Sequence, residues 1–161
     1  MKKIGFLLVL CFVFSLLTAF EHQDKLEITD TEITVIQSEG ILRYDFKIKN
    51  TGEATIESDF DYPGQHPFGI EFIVQPNEKL SEVMIMEEHT NYKKMLPLGS
   101  GHAGFFEPNV EMPVYLEYKI KDDVNPEEVK ELAYDASLLI LDGVDITVKF
   151  PLQELQEQLS N

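Results

Sequence analysis

Cysteine is almost missing: the 161 residues hold one, Cys11, and there is no tryptophan. Cys11 sits inside an apolar N-terminal stretch with Leu10 rather than a small residue before it, which argues against a lipoprotein-type lipidation site. A chain that loses this stretch has no thiol, so disulfides, thiolate metal sites and cysteine nucleophiles are all excluded from what remains. Cationic residues are scarce as well, 13 Lys and Arg against 29 Asp and Glu, for a net charge of −16. Such a field repels nucleic-acid phosphates and anionic lipid surfaces, and nucleic acid is excluded as a partner. No G-x-S-x-G elbow and no phosphate-cradling glycine loop are present. Low-complexity linkers and internal repeats are missing too. With 43% hydrophobic residues, the chain has enough apolar side chains for a buried core, and its length suits one domain.

The N-terminus is the plainest local feature. Lys2 and Lys3 precede an apolar run from Ile4 to Leu17, broken only by Gly5 and Ser15, and Leu17-Thr18-Ala19 follows as a cleavage point. Residues 1–19 are therefore expected to be a signal peptide, and the chain is expected to be exported, as a secreted or cell-envelope protein. Removing Lys2 and Lys3 takes the charge from −16 to −18. Leu17 is larger than the residue usually found three before a cut. An uncleaved segment would act instead as a membrane anchor, its length being at the lower limit for crossing a bilayer.

Residues 20–152 are expected to form the folded domain and 153–161 a C-terminal tail. Leu42, Tyr44, Phe46 and Ile48 alternate with Arg43, Asp45, Lys47 and Lys49, which marks a half-buried strand. Asn50-Thr51-Gly52-Glu53 supplies turn chemistry, and a returning strand is expected through Ala54 to Phe60. The same alternation marks 114–121 and 146–150, and 70–74 reads as a shorter strand. Residues 26–36 read as a strand pair interrupted by Asp30-Thr31-Glu32, and 80–88 as a further strand. Asp142-Gly143 between two apolar runs predicts a hairpin. One helix is expected after Asn125, which caps, with Pro126 at the first position and Glu127 and Glu128 at the positive end of the dipole. Leu152, Leu155 and Leu159 stand at helical spacing, so the tail either docks a last turn or frays. Residues 61–69 and 90–113 read as long irregular loops.

About seven short strands, regular turn signals and one helix predict a mainly β fold, an antiparallel β-sandwich. The run Tyr44-Asp-Phe-Lys-Ile-Lys-Asn-Thr-Gly-Glu53, followed later by Val114-Tyr-Leu-Glu-Tyr-Lys119, resembles the core strands of exported bacterial immunoglobulin-like domains, including the bacillary proteinase-inhibitor-like group. The resemblance covers 41–121. It implies an immunoglobulin-like sandwich outside the cytoplasm, with protease inhibition as one specific version of its function.

Four constellations bear on chemistry. Ser100 and His102 in Gly99-Ser-Gly-His102 lack a defined acid partner, so no catalytic residue is assigned and the chain is read as not an enzyme. Met84, Met86, His89, Met95, His102 and Met112 offer the thioether and imidazole ligands that favour Cu(I). Core filling is the plainer use of those methionines, and copper handling is the alternative function. Glu57, Asp59 and Asp61 share a strand face and could meet on a hard cation, although a solvated face explains them as well. No metal or cofactor is assigned. Aromatics between Pro and Gly in two loops give the candidate binding residues Tyr62, His66, Phe68, His102, Phe105 and Phe106, unless the rings fold inward. The leading expectation is thus an exported, monomeric binding module of the cell envelope whose partner is an extracellular or envelope protein.

Overall fold

In the computed structural model of the chain, residues 24–58, 69–90, 93–143 and 145–159 are described. Their elements, in order, are β1 (Leu26–Ile36), β2 (Ile41–Asn50), β3 (Ile56–Glu57), β4 (Ile70–Pro76), α1 (Glu78–Val83), β5 (Pro97–Gly101), β6 (Phe105–Phe106), β7 (Glu111–Lys119), α2 (Pro126–Leu132), β8 (Ala136–Asp142), β9 (Asp145–Pro151) and α3 (Leu152–Leu159). The fold is mainly β and its strands pair antiparallel, in a four-stranded sheet β1-β2-β7-β5, a three-stranded sheet β4-β8-β9 and the short pair β3-β6.

Alternation is realised most strictly in β2 and β7. Leu42, Tyr44, Phe46 and Ile48 face inward opposite Tyr118, Leu116, Val114 and Met112, all buried. They meet Phe72, Val74, Leu138, Ile140 and Val148 of the three-stranded sheet in one cluster, to which the helices add Leu80, Val83, Val129 and Leu152. Two buried tyrosines cross-link the layers. Tyr44 donates its hydroxyl to the Ala133 carbonyl behind α2 at 2.7 Å, and the Tyr118 hydroxyl accepts from the Val74 amide at 2.8 Å. Burial pushes both phenols above their ordinary pKa.

Helix α2 forms as its sequence directs, with the Glu127 amide bonded to the Asn125 side chain at 3.1 Å. The β8–β9 hairpin forms as well, Asp142 pairing with Asp145. Gly143 takes φ 59° at the first loop position, a conformation that glycine adopts without a Cβ penalty.

Several expectations are corrected. Residues 26–36 are one continuous strand: Asp30, Thr31 and Glu32 pair in register with Lys47, Phe46 and Asp45, and a bulge falls just before them, between Ile28 and Asp30. The strand foreseen at 80–88 is in part helix α1, since Asp135 accepts from the Lys79 and Leu80 amides and holds the first turn. Of the strand expected to return beside β2, the described residues show Ile56–Glu57, which pairs with β6 and not with β2. The 90–113 stretch is not one irregular loop, because it contains β5 and β6. Of the two alternatives for the tail, docking is the one seen: Leu152–Leu159 form α3, anchored by buried Leu152 and by Leu155 against the core. No helix among the described residues is long and apolar enough to cross a membrane. The predicted signal segment lies outside them.

Candidate binding face

The turn after β2 organises one end of the four-stranded sheet. Asn50 is fully buried, and its side chain donates to the carbonyls of Ala54 at 2.8 Å and Phe106 at 3.0 Å while accepting from the Gly52 amide at 2.9 Å. Its own carbonyl accepts from the Asn109 amide at 2.7 Å. The side chain thereby ties the β2 turn to β6, and the backbone carbonyl ties it to Asn109 just before β7.

On that outer face the strand register sets Arg43 opposite Glu117 and Asp45 opposite Tyr115. Arg43 donates Nε and Nη2 to the two oxygens of Asp45, each at 2.7 Å, and Nη1 to Glu117 at 2.9 Å. The bidentate bond to Asp45 is the main reason that the guanidinium is held still more firmly charged than usual. Its carbon lies 4.6 Å from the centre of the Tyr115 ring, within cation–π range. Next to this group, Lys47 pairs with Asp30 at 2.9 Å.

Strand β5 provides the bed for these side chains. Gly99 and Gly101 pair with Glu117 and Tyr115. A Cβ on Gly101 would fall 2.3 Å from Cε1 of Tyr115, and one on Gly99 would fall 2.8 Å from the Glu117 carboxylate. Glycine at 101 leaves room for the Tyr115 ring on the β5 backbone, whereas at 99 the close neighbour is the flexible end of Glu117. A depression of about 580 Å³ opens beside them, lined by Tyr115, Pro113, Arg43, Asp45, Lys47, Asp30, Glu32 and residues 101–103. Its size suits a small ligand or a short stretch of a polymer.

The candidate binding residues have different fates. His102 is half-buried at the rim of this depression, its Nδ1 bonded to the Ala103 carbonyl at 2.9 Å and its ring 4.7 Å from that of Phe72. Phe105 is exposed on the short β3–β6 pair. Phe106 is corrected: it is 1% exposed and packs edge-on against Phe72 at 6.0 Å, so it plugs the core and presents nothing to a partner. Tyr62, His66 and Phe68 lie outside the described residues, as do Asp59 and Asp61 of the acidic triplet.

The methionines of the Cu(I) ligand set are turned to the core. Met84, Met95 and Met112 are core residues and Met86 packs against that core, whereas His89 is exposed. Among the described residues no three His, Cys, Asp or Glu side chains come together as a metal site. Ser100 and His102 share no hydrogen bond among the described residues, so the geometry does not couple a nucleophile to a base.

Sequence reasoning placed Arg43, Asp45, Tyr115 and Glu117 at solvent-facing positions and stopped there. An aromatic ring at a wet position, with glycines at matching positions on another strand, was the available signal. It needed the β5–β7 register, which no local pattern supplies. No protein-family model matches the chain, and no curated protein or solved structure matches it significantly.

Proposed function

We propose that this chain is an exported, non-catalytic binding module of the cell envelope, an immunoglobulin-like β-sandwich that recognises its partner with the outer face of the four-stranded sheet. The observation that carries this reading is the locked Arg43–Asp45–Glu117–Tyr115 assembly beside a depression. Rigid side chains around a concavity bind without a large ordering cost. The sequence of residues 1–19 supports export, and the acidic, thiol-free remainder suits an oxidising compartment. The protease-inhibitor version has less support. The segment that would enter an active site, 93–104, includes β5, which is tied into the sheet beside β7. Copper handling has less support as well, because its methionines are spent on the core.

Fractionation of cells expressing the full chain, with N-terminal sequencing, tests the reading. The expected result is protein outside the cytoplasm beginning at Phe20. Recovery from the cytosol with Met1 to Ala19 attached overturns it.

A further inference from the structure

We propose that the depression beside Tyr115 is a subsite for an uncharged glycan, with pyranose C–H groups packed on Pro113 and on the part of the Tyr115 ring that Arg43 and Gly101 leave exposed, and hydroxyls bonded by the neighbouring ion pairs. This inference rests on the reading of the outer face as a binding surface, and it adds the class of ligand.

The first argument is charge. Arg43 is engaged by Asp45 and Glu117, and Lys47 by Asp30, so the cations at the rim are already paired within the protein. Carboxylates outnumber them, since Glu32 also lines the rim. An anionic ligand would have to break an ion pair while facing a surplus of negative charge. A polyol bonds to the remaining lone pairs and N–H groups of those pairs and leaves them intact.

The second argument is the floor. Tyr115 is 36% exposed although its neighbours grip it, with the guanidinium of Arg43 at 4.6 Å and the backbone of Gly101 beneath. Pro113 lines the same depression two residues away on the same face of β7. A partly exposed aromatic ring held between Arg43 and Gly101, next to an aliphatic ring and bordered by paired polar groups, matches the amphipathic surface of a sugar, which is apolar on its axial C–H side and polar round its edge. The rigid ring limits the entropy lost on binding.

The test uses protein purified after expression of the full chain. Its retention is measured on insoluble chitin, cellulose and curdlan, all uncharged, with immobilised polylysine as the cationic comparison. Retention on at least one of the glycans is expected, weakened about 10-fold or more by Tyr115→Ala, as for truncation of an aromatic anchor. Tyr115→Phe should retain most of the binding. In parallel, titration with an N-acetylglucosamine tetramer, or with the fragment of whichever polymer retains the protein, should shift the NMR signals of Tyr115, Gly101 and Arg43. This readout does not depend on how well a variant folds. Absence of retention on every glycan overturns the inference, and so does glycan binding that leaves those signals and the Tyr115→Ala affinity unchanged. Retention on polylysine alone, abolished by Tyr115→Ala, replaces the glycan with a cationic partner. Exported protein that binds no glycan sinks only this inference, whereas glycan binding by a cytosolic protein sinks only the export reading.

Discussion

Strands β2 and β8 both run through the interior of their sheets, yet β2 buries one side and β8 buries both. In β2, Arg43, Asp45, Lys47 and Lys49 stand outside the core; in β8 every residue from Ala136 to Leu141 is buried. Leu138 and Ile140 join the main core, while Leu139 and Leu141 meet Ile73 of β4 in a second apolar cluster on the opposite face, with Ile146 packed against it. The four-stranded sheet therefore keeps a wet outer face along β2, whereas the second face of the three-stranded sheet is buried along β8 and at Ile73, with Glu71 and Lys149 exposed at its flanks.

The comparison is most easily broken at Leu139. Replacing it with Asn inserts a polar amide into the second cluster, where it is 0% exposed. Loss of the buried leucine side chain together with the unpaired amide should cost about 3–5 kcal/mol in urea unfolding. A loss below about 1 kcal/mol would mean that this face is not packed in solution, and the contrast with β2 would collapse.

A smaller effect is expected at Asn50, whose side chain ties the β2 turn to β6. Asn50→Ala leaves the carbonyls of Ala54 and Phe106 and the Gly52 amide without their partner. The cost should be about 1–3 kcal/mol, read as a fall in the urea midpoint at constant slope. Retention of full stability would show that water replaces the side chain without penalty.

The two buried tyrosines give the next effect. Tyr118 and Tyr44 are buried and titrate above the ordinary phenol value in the folded chain. A raised folded pKa favours the protonated form, so their contribution is fully present below the unfolded value near 10 and is lost as pH rises from there towards the folded pKa. Stability should thus fall by about 1 kcal/mol per tyrosine between pH 9 and pH 11. Tyr118→Phe should flatten that slope by roughly half, whereas an unaltered slope would show that Tyr118 ionises freely in the native state.

Much of this contrast was legible in the residues. Strict alternation from Leu42 to Lys49 and from Val114 to Lys121 announced one core face and one wet face, and Asn125-Pro126 announced α2. The run Leu138-Leu-Ile-Leu141 was recognised as a strand, but a short continuous apolar run does not say which neighbour covers each side. Residues 78–83 form a helix because Asp135, far along the chain, caps their amides, and strand propensity at Val83 to Met86 pointed the other way. Strand β5, Pro-Leu-Gly-Ser-Gly, has little strand propensity of its own, and its pairing with β7 draws it into the sheet. The binding face was hidden for the same reason, since Tyr115 and Gly101 meet only through that long-range register. Phe106 was misjudged because an aromatic beside glycine and proline reads alike whether it anchors a partner or seals a core.

The smallest effect is expected on the wet face itself, and that smallness is what the comparison requires. Lys47 and Asp30 form a pair at 2.9 Å, with side chains 53% and 55% exposed, so solvent and salt screen their attraction. Lys47→Asn should leave the Tm unchanged within error. The pair is still detectable, because the hydrogen bond from Lys47 lowers the Asp30 pKa below its ordinary value. A lowered folded pKa stabilises the fold above the unfolded value and loses that contribution as pH falls through the folded one. In the variant, the NMR titration of Asp30 should move upward towards the ordinary carboxylate range while the melting curve stays in place. If the melting curve instead dropped as far as it does for Leu139→Asn, the outer face of the four-stranded sheet would be a structural surface like that of β8, and no longer one free to serve recognition.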